Sequence, residues 1–138
     1  MKRAPANKVS LSTDDGLYYC DEEPFTGVSY TEFPDGSPRS ESEYRNGLAW
    51  GKSKSWHKNG TLFSESEFYR DVLHGVSREW SPAGRLVSEI VAEYGITIRE
   101  TTWDEQGTLL KEYVLREGHP DYRALLKSRE LYDSGKNE

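Results

Sequence analysis

The chain has 138 residues, the size of one domain, and only 34% of them are hydrophobic while 30% are charged. This composition argues against a thick two-layer core, and no run approaches the ~20 apolar residues that a membrane-spanning helix needs. The net charge of −6 argues against nonspecific nucleic-acid binding and favours solubility or a basic protein partner. The single cysteine, Cys20, excludes an internal disulfide framework and is typical of a reducing cytoplasm, where we expect the protein to act.

The predicted elements fall into three regions along the chain. The first, residues 1–14, shows no hydrophobic periodicity and is expected to be a flexible N-terminal segment. The second, residues 15–118, is predicted to be an array of β-hairpin repeats, because short strand-like segments alternate with turn residues. Its predicted strands cover residues 17–20, 25–33, 49–57, 61–70, 74–80, 86–93, 97–104 and 108–116.

The third region, residues 119–138, is expected to form a capping helix and tail. Pro120 suits a first helical turn and Gly135 suits the end of a helix. A repeat array needs a cap where its last repeat would expose an apolar edge. We therefore expect this helix to lie against the last hairpin.

A repeat of about 24 residues organises the central region. Its marker glycines are Gly36, Gly60, Gly84 and Gly107, which stand 24, 24 and 23 residues apart. A glutamate stands five residues after each glycine, at Glu41, Glu65, Glu89 and Glu112. One supersecondary unit repeated at this period predicts a mainly β fold, a single-layer antiparallel meander of hairpins. Arrays of this kind act chiefly by presenting an extended surface, which favours a binding function.

The pair Asn59-Gly60 predicts a hairpin loop in the second repeat, since both central residues of a type I′ turn need positive φ. Counting outward from such loops opposes cations to glutamates and aromatic residues to apolar ones. The predicted pairs are Lys54 with Glu65, Arg78 with Glu89, Trp56 with Phe63, Trp80 with Val87 and Trp103 with Leu110. The recurring glutamates are therefore interpreted as structural cross-strand partners and not as catalytic carboxylates.

The aromatic residues are the candidates for partner binding. Trp56, Trp80 and Trp103 recur at one position of the repeat, which predicts a ladder on one face of the sheet. Two interpretations stay open: the ladder holds neighbouring hairpins together, or it is an exposed stripe that anchors a partner, as Trp and Tyr do at hot spots. The partner-binding candidates are Tyr30, Phe33, Tyr44, Trp56, Tyr69, Trp80 and Trp103.

The sequence holds no cluster that is typical of catalysis or of metal binding. His57, His74 and His119 lack the spacing of metal ligands, and Cys20 has no cysteine partner. Phosphate-binding glycine loops are absent as well. We therefore expect no catalytic residues, no metal and no cofactor, and we expect a protein that is not an enzyme.

Several segments of the chain resemble the bacterial MORN-repeat variant. They are Pro24-Phe25-Thr26-Gly27, Asp35-Gly36, Tyr44-Arg45-Asn46-Gly47, Trp56-His57-Lys58-Asn59-Gly60-Thr61-Leu62 and Gly75-Val76-Ser77-Arg78-Glu79-Trp80. In particular the chain is similar to antitoxin or immunity proteins that are encoded beside a toxin in polymorphic-toxin systems. The likeness covers about residues 17–118, with Asp71 and Ile98 standing where repeat glycines are usual.

The resemblance implies a single-layer sheet and a non-enzymatic protein that binds its cognate toxin and blocks it. The toxin is then expected to be the product of an adjacent gene, with no nucleic acid or membrane as partner, and the protein to be a monomer or a weak dimer. Other arrays of this type are scaffolds or lipid-associated modules, so a scaffold or membrane-surface interaction module is the alternative. The acidic charge balance argues against that alternative, because anionic lipids attract basic clusters.

Overall fold

The computed structural model describes residues 1–133, so the helix end predicted at Gly135 and the rest of the expected tail lie outside the described residues. The strands are β1 (Arg3–Pro5), β2 (Ser10–Leu11), β3 (Tyr18–Cys20), β4 (Glu23–Pro24), β5 (Gly27–Glu32), β6 (Pro38–Arg45), β7 (Leu48–Trp56), β8 (Leu62–Tyr69), β9 (Val72–Leu73), β10 (Gly75–Trp80), β11 (Leu86–Glu93), β12 (Ile96–Trp103) and β13 (Leu109–Val114). A 3₁₀ turn covers Ala6–Lys8, and helix α1 covers Pro120–Tyr132.

Ten of these strands form one sheet in the order β1-β5-β6-β7-β8-β10-β11-β12-β13, with β9 beside β8. Neighbouring strands are antiparallel hairpin partners, except that β1 runs parallel to β5. The other three strands form a small sheet in the order β2-β3-β4. The predicted mainly β meander of antiparallel hairpins with a C-terminal helix is therefore confirmed.

The large sheet buries apolar side chains near its two ends and not in its middle. The buried apolar residues are Ala4, Cys20 and Phe25 near the N-terminal end, and Ala92, Leu115 and Leu125 near the C-terminal end. Strands β6, β7, β8 and β10 between them contain no buried residue. The middle of the array therefore depends on backbone pairing and on half-buried side chains, as expected for a single layer.

The hairpin loops at the marker glycines differ from the predicted type I′ turn. After β7, the His57 N–H donates to the Thr61 carbonyl (2.8 Å) and the Gly60 N–H donates to the His57 carbonyl (2.9 Å). Only Gly60 has positive φ in this loop (+90°), and the Asn59 side-chain oxygen accepts a hydrogen bond from the Thr61 N–H (3.0 Å). The type I′ turn predicted at Asn59-Gly60 is therefore wrong, because a longer turn closed by a left-handed glycine forms instead.

This longer loop brings a β-bulge that shifts the register next to it. The observed pairs are Trp56 with Leu62, Trp80 with Leu86 and Trp103 with Leu109. The three predicted aromatic pairs are therefore wrong by one residue, because the bulge inserts an extra residue on the second strand. Beyond the bulge, Lys54 lies opposite Glu65 and Arg78 lies opposite Glu89, which are the two charge pairs that the sequence predicts.

The loops at the other end of the strands have the backbone of type I′ turns. Both central residues have positive φ in the pairs Asn46-Gly47, Arg70-Asp71 and Tyr94-Gly95. Asp71 adopts φ of +73° although the repeat usually has glycine there. Its Oδ1 accepts a hydrogen bond from the Ala49 N–H (2.6 Å), and its own N–H donates to the Ala49 carbonyl (2.9 Å). These bonds offset the backbone strain of a non-glycine residue at that turn.

The N-terminal residues, predicted to be flexible, contain β1, the 3₁₀ turn and β2 in the structure. Strand β1 lies beside β5 with Ala4 opposite Ser29, and the Val28 N–H donates to the Lys2 carbonyl (2.7 Å). Gly27 permits this approach, since a Cβ at that position would lie 2.3 Å from the Lys2 carbonyl oxygen. The strand has three residues and includes Pro5. Its pairing comes from tertiary contact, which a search for periodicity does not detect.

Helix α1 begins as predicted at Pro120, where the His119 side chain accepts a hydrogen bond from the Asp121 N–H (3.0 Å). Its ion pair reaches the strand before the last hairpin, since Arg129 pairs with Glu93 at the end of β11 (2.6 Å). That α1 lies against the last hairpin itself stays a prediction. The ring of Tyr132 lies 5.5 Å from that of Tyr94 in the turn before β12. In residues 1–133 no helix is long and apolar enough to cross a membrane.

Candidate protein-binding surfaces

One face of the sheet carries a row of six charged residues and one threonine that crosses seven strands, which we call the charged row. In register from β6 to β13 its members are Glu41, Lys54, Glu65, Arg78, Glu89, Thr101 and Glu112. Residues that oppose each other in register lie on one face, so opposite charges alternate along most of the row. Lys54 Nζ lies 3.8 Å from Glu65 Oε2, and Arg78 Nε lies 2.8 Å from Glu89 Oε2.

The charged row contributes more to the choice of strand register than to the stability of the fold. The side chains of Arg78 and Glu89 are 44% and 29% exposed, so water screens their attraction. A register slip of one residue would move each charge to the other face and break every pair at once. The row thus specifies the register and leaves a regular pattern of charge open to a partner.

The opposite face carries paired hydroxyl groups along β5, β6, β7, β8 and β10, and we call it the hydroxyl face. Its cross-strand hydrogen bonds are Thr31–Ser40 (2.5 Å), Ser42–Ser53 (2.7 Å), Ser55–Ser64 (2.5 Å) and Ser66–Ser77 (2.7 Å). Small hydroxyl side chains let a sheet face lie bare, because each satisfies its neighbour without a covering layer. Sequence reasoning did not single out these residues, although serine at every second position of β6, β7 and β8 was the signal for them.

The predicted aromatic candidates do not form one surface. Tyr30 lies beneath the Arg3 guanidinium (5.1 Å to the ring centroid), and Phe33 lies beneath that of Arg39 (5.8 Å). Tyr44 belongs to the N-terminal core, with its ring 5.6 Å from that of Phe25. Burial raises the pKa of the Tyr44 phenol above its ordinary value. The partner-binding role proposed for Tyr44 therefore competes with a packing role.

Trp56, Trp80 and Trp103 all stand at the glycine-loop end of the strands, and each is half-buried. Each lies opposite a leucine of the next strand. Among residues 1–133, no ring contact joins any two of these tryptophans. The three rings therefore do not stack on one another, because β8 lies between the strands of Trp56 and Trp80 and β11 lies between those of Trp80 and Trp103. Their placement on one face of the sheet stays a prediction.

A group of rings that contact one another lies at the opposite end of the strands, around Tyr69. The centroid of Tyr69 lies 5.0 Å from Trp50, 5.8 Å from His74 and 6.4 Å from Tyr94. Tyr94 in turn contacts Tyr132 of α1 and donates a hydrogen bond to Asp133. Desolvation and this hydrogen bond raise the pKa of the Tyr94 phenol. The cluster joins α1 to the sheet, which is a structural role for Tyr69.

A cleft of about 460 Å³ opens beside this aromatic cluster. Its lining residues are Tyr69, Arg70, Val72, Tyr94, Ser128 and Tyr132. Sequence reasoning proposed Tyr69 alone from this set. The signal for Tyr94 was its position, because Tyr44, Tyr69 and Tyr94 stand 25 residues apart, Tyr44 and Tyr69 shortly before a type I′ turn and Tyr94 as the first central residue of one.

The histidines take part in structural hydrogen bonds. His57 Nε2 donates to the Trp80 carbonyl (2.7 Å), and His74 Nδ1 accepts from the Tyr94 N–H (2.9 Å). His119 caps α1. In the described residues no group of three or more His, Cys, Asp or Glu side chains is placed to hold a metal ion.

Comparison with known proteins agrees with the repeat pattern. Residues 51–71 match the family model of the MORN repeat variant. Over 110 residues the chain is 47% identical to the immunity protein YwqK of Bacillus subtilis (strain 168), a match that covers 80% of this chain and 71% of that protein.

Two solved structures show weaker similarity. One is a complex of accessory secretory proteins 1, 2 and 3 in Streptococcus pneumoniae (17% identity, TM-score 0.37), and the other is a GtfA/B complex bound to UDP and GlcNAc (13% identity, TM-score 0.33). The matches cover 80% and 78% of this chain but only 20% and 27% of those chains. At these TM-scores the likeness carries no conclusion about this protein.

Proposed function

The chain belongs to the MORN-repeat-variant family of immunity proteins, and on that premise we propose that it is an antitoxin that binds and neutralises one cognate toxin. The observation that carries the proposal is the 47% sequence identity of this chain to YwqK, over 80% of this chain and 71% of that protein. The toxin is then a bacterial protein, and the gene beside this one is the first place to look for it. The site of action is the cytoplasm, where a producing cell needs protection.

The proposed mechanism is occlusion by a stoichiometric complex. A single-layer sheet leaves both of its faces accessible along β6, β7, β8 and β10, where no residue is buried. Such a sheet offers an extended surface for a complementary protein. The described residues thus favour binding over catalysis, with neither cofactor nor metal needed.

Charge supports a basic protein as the partner. The chain has a net charge of −6, and the charged row ends in glutamate at both sides, at Glu41 and Glu112. Toxins that act on nucleic acids or nucleotides need positive surfaces for their substrates. An acidic inhibitor is drawn to such a surface by electrostatic steering and covers it once bound. The same charge disfavours nucleic acid and anionic membranes as partners of this protein, which acts as a monomer or weak dimer.

The test is protection of a cell followed by titration of the purified proteins. Expression of the toxin-like product of the neighbouring gene should arrest growth, and coexpression of this protein should restore it. In vitro, toxin activity should fall linearly with added protein and vanish near equimolar amounts. Association should slow as salt is raised, because screening shortens the reach of charges to about 10 Å at ~0.1 M ionic strength.

Three outcomes would contradict the proposal. Inactivation of the toxin by substoichiometric amounts of this protein would mean catalysis. Unchanged toxicity on coexpression, with no complex formed, would exclude the antitoxin role. Tight binding to phosphatidylserine vesicles without any effect on a toxin would instead favour a membrane-surface or scaffold module.

A further inference from the structure

The two edges of the large sheet differ in how well they can accept another strand. The β1 edge has three residues, one of which is Pro5, a residue that lacks the N–H needed for pairing. The β13 edge has six residues, Leu109–Val114, without proline or glycine. Within residues 1–133, β12 pairs with one side of β13 and no strand lies on its other side. Of the two edges, β13 is the one built to accept a partner strand.

The backbone of β13 presents unpaired groups outward. The Leu115 N–H, just after the strand, donates to the Ile98 carbonyl (2.7 Å), so the amide of Leu115 points towards β12. Amides alternate in direction along a strand, and those of Glu112 and Val114 therefore point away from the sheet. A strand placed alongside would complete these hydrogen bonds, as in recognition by β-augmentation.

The side chains of β13 favour a foreign strand of a particular chemistry. Glu112 is the last member of the charged row, is exposed, and has no ion-pair partner among residues 1–133. Because charges alternate along the row, a strand added beside β13 would continue the pattern if it placed a cation opposite Glu112. Leu109 and Leu110 are 51% and 65% exposed and would be covered by apolar residues of the same strand. Lys111 points to the opposite face and is already paired with Glu100 (3.4 Å).

A second copy of this chain is a poor occupant of the β13 edge. In a continuous antiparallel sheet formed about a two-fold axis, opposed residues share a face, so one residue must lie opposite itself. The two central registers of β13 then place Lys111 against Lys111 or Glu112 against Glu112 of the other copy. Like charges directly opposite each other destabilise a strand pair. The edge therefore disfavours self-association and accepts a strand of opposite charge.

We propose that β13 is the edge on which the toxin docks, by adding an extended segment that places a basic residue opposite Glu112 and apolar residues against Leu109 and Leu110. This inference rests on the antitoxin role proposed above and names the surface that performs it. Neutralisation then combines main-chain pairing at β13 with charge selection by Glu112. The faces of the sheet need not contact the toxin for binding to occur.

The test measures binding of the catalytically inactivated product of the neighbouring toxin-like gene to three forms of the full chain. Glu112→Lys should weaken binding by about tenfold, since an attractive cross-strand pair becomes repulsive. Glu105→Lys is the matched control: Glu105 is an exposed residue of the preceding loop, and its substitution changes the net charge equally. It should change affinity by less than about twofold at ~0.15 M salt, where general electrostatic effects are screened. Thermal melts by circular dichroism establish that both variants fold.

Hydrogen exchange of the wild-type complex supplies the second readout. The amides of Glu112 and Val114 should exchange more slowly in the complex than in the free protein. Binding that is insensitive to Glu112→Lys, without added protection in β13, would overturn this docking site and leave the antitoxin role standing. Failure of the wild type to bind the toxin would overturn both. Protection of β13 that depends on the concentration of the free protein would assign the edge to a second copy and overturn the proposal.

Discussion

Replacing Gly51 by alanine should destabilise the array more than replacing Gly60, although both glycines have positive φ. At Gly51 φ is +107°, and an added Cβ would lie 2.8 Å from Oε2 and 3.0 Å from Cδ of Glu43. At Gly60 φ is +90°, and an added Cβ would meet nothing within 4 Å. Comparing the two substitutions thus separates the cost of backbone strain from the cost of the contact with Glu43 on the neighbouring strand.

The expected costs follow from these two terms. Positive φ in a residue with a side chain costs about 1–3 kcal/mol at either position. At Gly51 the Glu43 carboxylate must also move away, and it then loses the hydrogen bond that it accepts from the Lys52 N–H (3.1 Å). Such a bond at a solvent-accessible position contributes about 1 kcal/mol. We therefore expect a loss of about 1–3 kcal/mol for Gly60→Ala and about 2–4 kcal/mol for Gly51→Ala.

The assay is urea unfolding followed by circular dichroism, with a third variant to isolate the contact. In a Glu43→Ala background the carboxylate is absent and only the contact with Cβ of residue 43 (3.3 Å) remains, so the cost of Gly51→Ala should fall towards that of Gly60→Ala. The difference between backgrounds measures the coupling between positions 43 and 51. Equal losses for Gly51→Ala and Gly60→Ala in the wild-type background would refute the reasoning. So would a Gly51→Ala cost that remains unchanged when Glu43 is removed.

Three further predictions concern α1, a tryptophan and the charged row. Hydrogen bonds from Arg129 hold the pKa of Glu93 below its ordinary value of 4.5. These bonds therefore stabilise the folded state fully above pH 4.5, and this stabilisation is lost as the pH falls through the lowered pKa. Glu93→Gln should therefore remove this part of the acid sensitivity of urea midpoints measured between about pH 3 and 6. Trp80→Ala should cost about 1–3 kcal/mol in urea melts because the ring is half-buried; a loss below about 1 kcal/mol together with lost toxin binding would make it a hot spot instead. A double-mutant cycle on Arg78 and Glu89 should give a coupling of about 0.2–1 kcal/mol that shrinks in about 0.5 M salt, and a coupling above about 2 kcal/mol would show that screening is overestimated.

Turn chemistry shows how far the sequence could predict local structure. The loop glycines and the alternating strand pattern located the hairpins from β7 to β13, although the loop at Arg70-Asp71 has no glycine and the predicted strands omitted β6. The turn type predicted at Asn59-Gly60 was wrong, since the same dipeptide fits both a type I′ turn, in which both residues have positive φ, and the longer loop, in which only Gly60 does. Register near that loop depends on the bulge, and so the partners of Trp56, Trp80 and Trp103 followed from the three-dimensional structure alone.

The candidate surfaces were predicted less completely than the fold. The pairs Lys54–Glu65 and Arg78–Glu89 came from counting along two strands at a time. These pairs join into one row across seven strands only because of the order of all the strands. The row also depends on the change of register at His74 and Gly75, between the pairing of β8 with β9 and its pairing with β10. The exposed β13 edge depends on where α1 goes. The sequence indicates a helix after β13 but not that Arg129 pairs with Glu93 two strands away.

By itself, the sequence determined the repeat period, the hairpin meander, the opposed charges and the family, because each of these is written in residues close to one another in the chain. Only the tertiary structure decided that Ala4 enters the N-terminal core, that the rings around Tyr69 and not the tryptophans form a cluster, and that no other strand of residues 1–133 covers the outer edge of β13. The physical reason is distance along the chain. Short-range patterns reflect backbone geometry that repeats every hairpin, while the ends of an array are set by single contacts between segments far apart in sequence, for which no period exists.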